Sequence, residues 1–270
     1  MTQGFLLFAY NNEAVDYGIM ALWQARRIRK WLDKPASLVT DSATVEKLSN
    51  TVPNWRDSFD HVIIKESKTK QKKLYHDAGE ELTFHNINRI YSWIETPYDE
   101  TIVIDTDVVI QSQQLNKLWN SDQDLIVCDN SIDIVEKRDR LGFDYLHEYT
   151  SKFYWATVFY FRTTPETMIF FEKCREIQNQ YHWYRETYNL QPGPIRNDFI
   201  WSIAVNELGN TVTVPWTLLY SLPSDDILEI ADDAVKILAN NLLTKVSGLD
   251  LHVMNKIDLV TLIKKEMEIE

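Results

Sequence analysis

An α/β fold built on a mostly parallel sheet is what this sequence predicts, and three observations predict it. Residues 4–10 (GFLLFAY), 14–32 and 36–39 read strand, helix, strand within the first 41 positions. Two strands joined through a helix of that length are parallel neighbours. The same alternation of short apolar runs and helical patterns continues along the chain. Lastly, the segment 98–110 (YDETIVIDTDVVI) sets one apolar run, 101–104, against Asp105-Thr106-Asp107 and then a second run, 108–110. Dense Ile and Val bounded by turn residues mark a buried strand. In open parallel sheets, ligands bind outside the carboxyl ends of strands.

The composition fits that class. The chain has 270 residues, 44% of them apolar, enough for one large α/β domain or two small ones. Nine Trp, thirteen Tyr and eleven Phe supply large core side chains, and only seven Gly and eight Pro argue against a loop-rich chain. A net charge of −12 disfavours non-specific nucleic-acid binding through the whole surface. Cys128 and Cys174 sit in apolar surroundings and suggest no disulfide framework, which fits a reducing, cytoplasmic compartment. The apolar run at 4–10 is too short, and lacks the basic leader, for a signal peptide; no stretch has the length of a membrane-spanning helix.

Each element follows from local pattern. The unbroken apolar run at 4–10 is a buried strand, and Asn11-Asn12-Glu13 ends it and caps a helix over 14–32. Ile19, Leu22, Trp23, Ile28 and Trp31 give that helix its apolar face. Arg26, Arg27, Arg29 and Lys30 suit its C-terminal end, and Pro35 stops it. A helix over 43–48 and a strand over 61–64 follow. Lys65, Lys68, Lys70, Lys72 and Lys73 read as a solvated surface loop, the alternative being a contact for phosphate or a polyanion. An amphipathic helix over 84–94 carries Arg89 to the strands at 101–104 and 108–110. A short helix over 113–120 and a strand over 124–128 come next. Residues 131–150 are charged and irregular, a long connection of the kind that serves as a lid or binding loop. The aromatic run 153–161 (FYWATVFYF) is a buried strand, and Pro165 opens a helix to about 181. After the turn at 191–194, Asn197-Asp198 cap a helix over 199–208. A strand over 211–214, an acidic and partly helical segment over 222–241, a short strand around His252 and a helix over 258–267 complete the chain.

The chemistry is concentrated at few positions. An apolar strand ending on two carboxylates needs a partner, because a buried charge is costly unless paired and a like charge beside it adds to the cost. A divalent cation is the simplest remedy: carboxylate oxygens suit Mg²⁺ and Mn²⁺, and the cation in turn bridges the oxygens of a diphosphate. The plain alternative is a solvated strand end followed by a turn. His252 alone reads most simply as a core or surface histidine. Arg89 reads as a surface ion-pair partner or as a clamp on a carboxylate or phosphate. Asp198 alone reads as a helix cap.

Four stretches, in this order, carry a resemblance. They are FAYNNEAVDYGIMALWQARRI at 8–28, Asp105-Thr106-Asp107, WATVFYFRTT at 155–164 and LHVMNK at 251–256. Together they resemble the GT-A glycosyltransferases of the glycogenin and bacterial galactosyltransferase kind, and still more the small GT-A-like proteins of large tailed bacteriophages. In that family the first strand end meets nucleobase and ribose, and a D-x-D triplet binds the metal. An N-[AS]-G-V-x-x-F strand comes third, and a late H-x-x-G-x-x-K element supplies a third metal ligand and a lysine to the diphosphate. This chain departs from the pattern: Trp155 and Ala156 stand where the family has its Asn, and no Gly separates His252 from Lys256. The donor sugar therefore does not carry over.

The resemblance implies one GT-A-like domain over 1–270, with a nucleotide-binding half (1–110), an acceptor-side half (111–256) and a C-terminal helix (257–270). It implies a metal-dependent enzyme that moves a hexosyl or pentosyl group from a nucleoside diphosphate sugar, a UDP-sugar first, to an acceptor hydroxyl. Mn²⁺ or Mg²⁺ falls to Asp105, Asp107 and His252, and the donor to Tyr10, Asn11, Tyr17, Arg89, Thr106 and Lys256. Asp198 falls at the reaction centre, from the family's D-Q pair, here Asn197-Asp198. The acceptor stays open between a hydroxylated phage DNA base, a glycan, a protein and a small molecule. The implied place is the cytoplasm, that of the host for a phage-encoded chain, away from membranes. Two other readings stand beside this one. A nucleotidyltransferase or nucleotide-sugar pyrophosphorylase also uses acidic strand ends but opens on a Gly-rich basic loop, where this chain has Tyr10-Asn11-Asn12-Glu13. A binding protein with a degenerate GT-A fold needs no intact Asp105, Asp107 and His252.

Overall fold

The computed structural model describes the chain apart from residues 67–70, 76–79, 136–144, 147–150, 191–192, 210–212, 215, 223–225, 240 and 270. The first strands are β1 (Gln3–Ala9), β2 (Ala36–Thr40), β3 (Val62–Ile64), β4 (Gln71–Tyr75), β5 (Glu80–Phe84) and β6 (Glu100–Ile104). Then come β7 (Val108–Val109), β8 (Leu125–Cys128), β9 (Ser131–Asp133), β10 (Trp155–Arg162) and β11 (Leu219–Leu222). The last are β12 (Asp226–Ile230), β13 (Ala234–Ala239), β14 (Leu242–Ser247) and β15 (Leu251–Val253).

The central sheet has the order β3-β2-β1-β6-β10-β8. β1 pairs in parallel with β2 and β6, and β2 with β3, while β10 runs antiparallel to β6 and β8. The α/β class with a mostly parallel sheet is thus what the sequence predicts. Phe5, Leu6, Leu7, Ile102, Val103, Phe159 and Phe161 are fully buried, which is why these strands read as unbroken apolar runs. At residues 105–107 the chain leaves this sheet for a second one, ordered β7-β15-β11-β9. Both cysteines are free and buried.

The helices are α1 (Tyr17–Leu32), α2 (Ser42–Thr51), α3 (Ser92–Glu95), α4 (Pro165–Asn179), α5 (Tyr181–Thr187), α6 (Asn197–Leu208) and α7 (Lys256–Glu266). Helix α1 starts later than residue 14. The Asn12 side chain accepts from the N–H groups of Ala14 (3.1 Å) and Val15 (2.8 Å), a local turn that competes with helix, and Asp16 then caps through Ile19 N–H (3.2 Å). Helix α7 starts two residues earlier than expected, because Asn255 rather than a later residue accepts from Asp258 N–H (3.1 Å). The predicted helix over 165–181 divides into α4 and α5 at Gln180. The short helix near 113–120 is a 3₁₀ helix, Gln114–Asn120.

Three expectations are corrected. The helix over 84–94 is a 3₁₀ helix, Asn86–Tyr91, followed by the single turn of α3, because Phe84 belongs to the β4–β5 hairpin and Pro97 bars continuation. The lysine run is not a plain loop: Lys72 and Lys73 lie in β4, paired with Thr83 and Leu82, while Lys68 and Lys70 fall outside the described residues. The acidic segment over 222–241 contains no helix among its described residues; β12, β13 and β14 form an antiparallel meander. On β13, Val235 and Ile237 are buried while Lys236 points out and pairs with Glu229 of β12, a period of two, and Asp232 and Asp233 occupy the turn. Of the predicted strand over 211–214, Thr213 and Val214 are not extended into a ladder, and most of the predicted lid over 131–150 lies outside the described residues apart from β9.

Gly4 explains how tightly β1 is covered. A Cβ there would stand 2.3 Å from the ring of Tyr98, whose hydroxyl is anchored at 2.7 Å to the Ser37 hydroxyl. Gly4→Ala is therefore expected to cost about 1–3 kcal/mol through overpacking, read as a lowered thermal midpoint.

Candidate active site

The site is assembled where the chain switches sheets. Asp105 follows β6 directly, and its N–H donates to Thr157 O of β10 (2.9 Å). Its carbonyl accepts Val108 N–H (3.2 Å), which closes a tight turn with Thr106 and Asp107 at the bend. Asp107 O accepts Val253 N–H (2.9 Å), and His252 pairs with Val108 in the β7–β15 ladder. The register of β15 is what sets the histidine over the acidic turn. One ligand atom each from Asp105, Asp107 and His252 lie within 4.8 Å of one another, a group that can hold a metal ion.

Cationic side chains surround it. Arg89, only 3% exposed, forms an ion pair with Asp105 and donates to Ala156 O (2.8 Å). Burial lowers its guanidinium to about 10, against the pull of Asp107, Asp198 and Tyr17. Lys256, the first residue of α7, forms an ion pair with Asp107, and His252 Nε2 stands 3.4 Å from the same Asp107 oxygen. Burial pushes the Asp107 carboxyl up, but Lys256 and His252 together hold it far below the usual carboxylate range. Its other oxygen, Oδ1, is buried and has no hydrogen-bond partner within the protein. An acidic oxygen left bare beside a second carboxylate and an imidazole is a donor set that suits Mg²⁺ or Mn²⁺.

Asp198 is not the cap of its helix, as its sequence context suggests. Arg196 takes the cap position, and Asp198 turns inward to accept from Ala156 N–H (2.9 Å) and Arg196 (2.6 Å). Burial raises its carboxyl, while Arg196, the Ala156 N–H and Arg89 outweigh that and keep it below its ordinary value. Arg89 donates to the Ala156 carbonyl and Asp198 accepts the Ala156 N–H, so the 3₁₀ helix Asn86–Tyr91, β10 and α6 meet at this one residue.

The remaining predicted residues divide. Tyr17 lies within electrostatic reach of Arg89, and Thr106 is buried in the turn. Tyr10 and Asn11 sit at the end of β1 and feel different neighbours. Tyr10 stacks on His85 (5.9 Å between centroids), and burial, followed by the nearby Asp41, Glu95 and Glu66, pushes its hydroxyl up to about 12. Asn11 accepts Gly18 N–H (2.9 Å) at the start of α1 and donates its own N–H to Thr44 (3.0 Å).

Two contributors had no signal in the sequence. Gln24, fully buried on α1, donates to Asp105 O (2.7 Å) and Val108 O (3.0 Å). Ser221 of β11 stands 3.4 Å from His252 Nδ1 and 3.1 Å from the Ser131 hydroxyl. That contact leaves Nε2 as the ring nitrogen facing Asp107.

Comparison with known proteins bears on the fold. No family model matches the chain, and no curated protein matches it in sequence. Among solved structures, an active-site mutant of LgtC superimposes with a TM-score of 0.52 at 14% identity, over 81% of this chain and 75% of that one. The galactosyltransferase LgtC in complex with donor and acceptor sugar analogues gives 0.51 at 12% identity, over the same shares. The fold is GT-A. The paired acidic residues thus stand near a strand end of a GT-A sheet. No helix among the described residues is long and apolar enough to cross a membrane.

Proposed function

We propose that this chain is a glycosyltransferase that moves a sugar from a nucleoside diphosphate sugar to an acceptor hydroxyl, with a divalent cation held by Asp105, Asp107 and His252. The observation that carries this reading is the convergence of those three side chains, within 4.8 Å, at the sheet switch of a GT-A fold. When bound, Mn²⁺ or Mg²⁺ supplies neutralisation of the charge that develops on the leaving diphosphate. The other work belongs to the chain itself. Lys256 and Arg89 bring two positive charges to the place where diphosphate oxygens would lie. Tyr17, with Tyr10, Asn11 and Thr106, frames the nucleoside side in this reading. Asp198, held ionised by Arg196, accepts the acceptor's proton in an inverting reaction or orients the donor sugar in a retaining one. A UDP-sugar is the donor we favour, and residues 111–256 form the acceptor side.

The reading is supported by fold-level likeness to LgtC, which binds donor and acceptor sugar analogues, and by the donor chemistry of the site. The test is calorimetry of nucleoside diphosphates and their sugars with and without Mn²⁺, followed by acceptor screening with the donor that binds. Cation-dependent binding of one nucleotide is the expected result. A chain that binds none of them under either condition is a non-catalytic GT-A module instead.

A further inference from the structure

We propose that Gln24, in the middle of α1, is a positioning residue for the acidic turn, a role that rests on the cation site proposed above. Where a chain leaves one sheet for another, its carbonyls lose their ladder partners and still need donors when buried. The turn from Asp105 to Val108 is such a place, where Asp105 O keeps the Val108 N–H at 3.2 Å and has a second acceptor position open. Gln24 Nε2 spends both of its hydrogens there, on Asp105 O (2.7 Å) and Val108 O (3.0 Å). Those two carbonyls bracket Asp107.

The amide orientation is fixed by its partners, since the flipped form would set Oε1 against two carbonyl oxygens. As it stands, Oε1 is buried with no hydrogen-bond partner. Burying an unsatisfied amide oxygen is unfavourable, and the fold tolerates it in exchange for holding this turn. One helical turn on, Arg27 Nε donates to Ile110 O (2.7 Å), so the same face of α1 grips the segment again. The turn is therefore braced from three sides: β10 through Asp105 N–H, β15 through Asp107 O, and α1 through Gln24. Without the Gln24 brace, the separation of the two carboxylates is no longer fixed, and the cation loses its preformed site while the diphosphate alone loses nothing.

The experiment compares Gln24→Met, of similar length without donors, and Gln24→Ala, which leaves room for water to reach both carbonyls. Ile177→Ala, a fully buried position in α4, serves as a destabilised control away from the turn. Mn²⁺ affinity at saturating uridine diphosphate, uridine diphosphate affinity without Mn²⁺, and thermal midpoints are measured for all three. The expected result is about tenfold or more weaker Mn²⁺ binding in both Gln24 variants, as for other residues that orient metal ligands. Metal-free nucleotide affinity stays at the wild-type value, and Ile177→Ala loses stability but keeps its Mn²⁺ affinity. Wild-type Mn²⁺ affinity in both Gln24 variants, or losses that follow the thermal midpoint across all three, overturns the role and leaves the functional reading standing. A wild type that binds no Mn²⁺ with the nucleotide overturns both.

Discussion

Asp107→Ala is expected to abolish cation-dependent nucleotide binding and to lower transfer by about 10³-fold, roughly 4 kcal/mol of transition-state stabilisation. The size follows from how much converges on this carboxylate. It is buried at 3% exposure, receives Lys256 and His252 on one oxygen, and keeps the other bare for a cation. Alanine removes one of the three proposed cation ligands and leaves Lys256 without its counter-charge. Asp107→Asn loses the charge in both roles but leaves no cavity, so agreement between the two variants assigns the effect to the carboxylate rather than to packing. Calorimetry of the nucleotide with Mn²⁺, beside a transfer assay with the identified donor, reads the result. Unchanged Mn²⁺-dependent binding in Asp107→Ala would falsify the assignment of the cation to this turn.

Arg89→Met is expected to destabilise the protein by about 2–4 kcal/mol, because it removes a buried guanidinium from its ion pair and leaves a partly buried carboxylate behind. The member left is Asp105, and the Ala156 carbonyl also loses its donor. Arg89→Lys keeps a charge but cannot serve both groups with a rigid fork, so it should recover only part of the loss. A second consequence distinguishes this pair from an ordinary core contact. With the guanidinium gone, an added cation takes over the neutralisation of Asp105, so Mn²⁺ should raise the thermal midpoint of Arg89→Met more than that of the wild type. Equal shifts in the two proteins would place Arg89 outside the cation's surroundings.

Much of this was legible in the sequence because it rests on local patterns. The apolar runs of β1, β2, β6 and β10 have no alternation, and strands buried on both faces read that way. The acidic turn is legible because two carboxylates directly after such a run need an explanation, and His252 became informative only beside them. What stayed hidden depends on long-range placement. Asp198 looks like a cap because Asp usually is one at a helix start; only the approach of β10 turns it toward Ala156. Gln24 lies among Trp23, Arg26 and Arg27 with no local pattern to single it out, and packing against the sheet switch buries it completely. The meander was mistaken for partial helix because Asp226, Glu229, Asp232 and Asp233 dominated the composition. Its two-residue apolar period was the better guide, though the bulge between Ile227 and Glu229 interrupts it.

The sheet order also bears on how the chain reaches this structure. Gln3 and Glu100, which meet across β1 and β6, are 97 residues apart, and Glu100 meets Tyr160 of β10 across another 60. Loop closure over such spans precedes any reward from pairing, so assembly is slow compared with that of a locally connected domain. While β10 is still unpaired, β6 presents an open edge to solvent, apolar over Ile102–Ile104, the kind of edge on which neighbouring chains pair. Arrival of β10 shields that edge and, through Thr157, also ties down the acidic turn. The same strand therefore covers an aggregation-prone edge and fixes the acidic turn, while His252 reaches that turn separately, on β15.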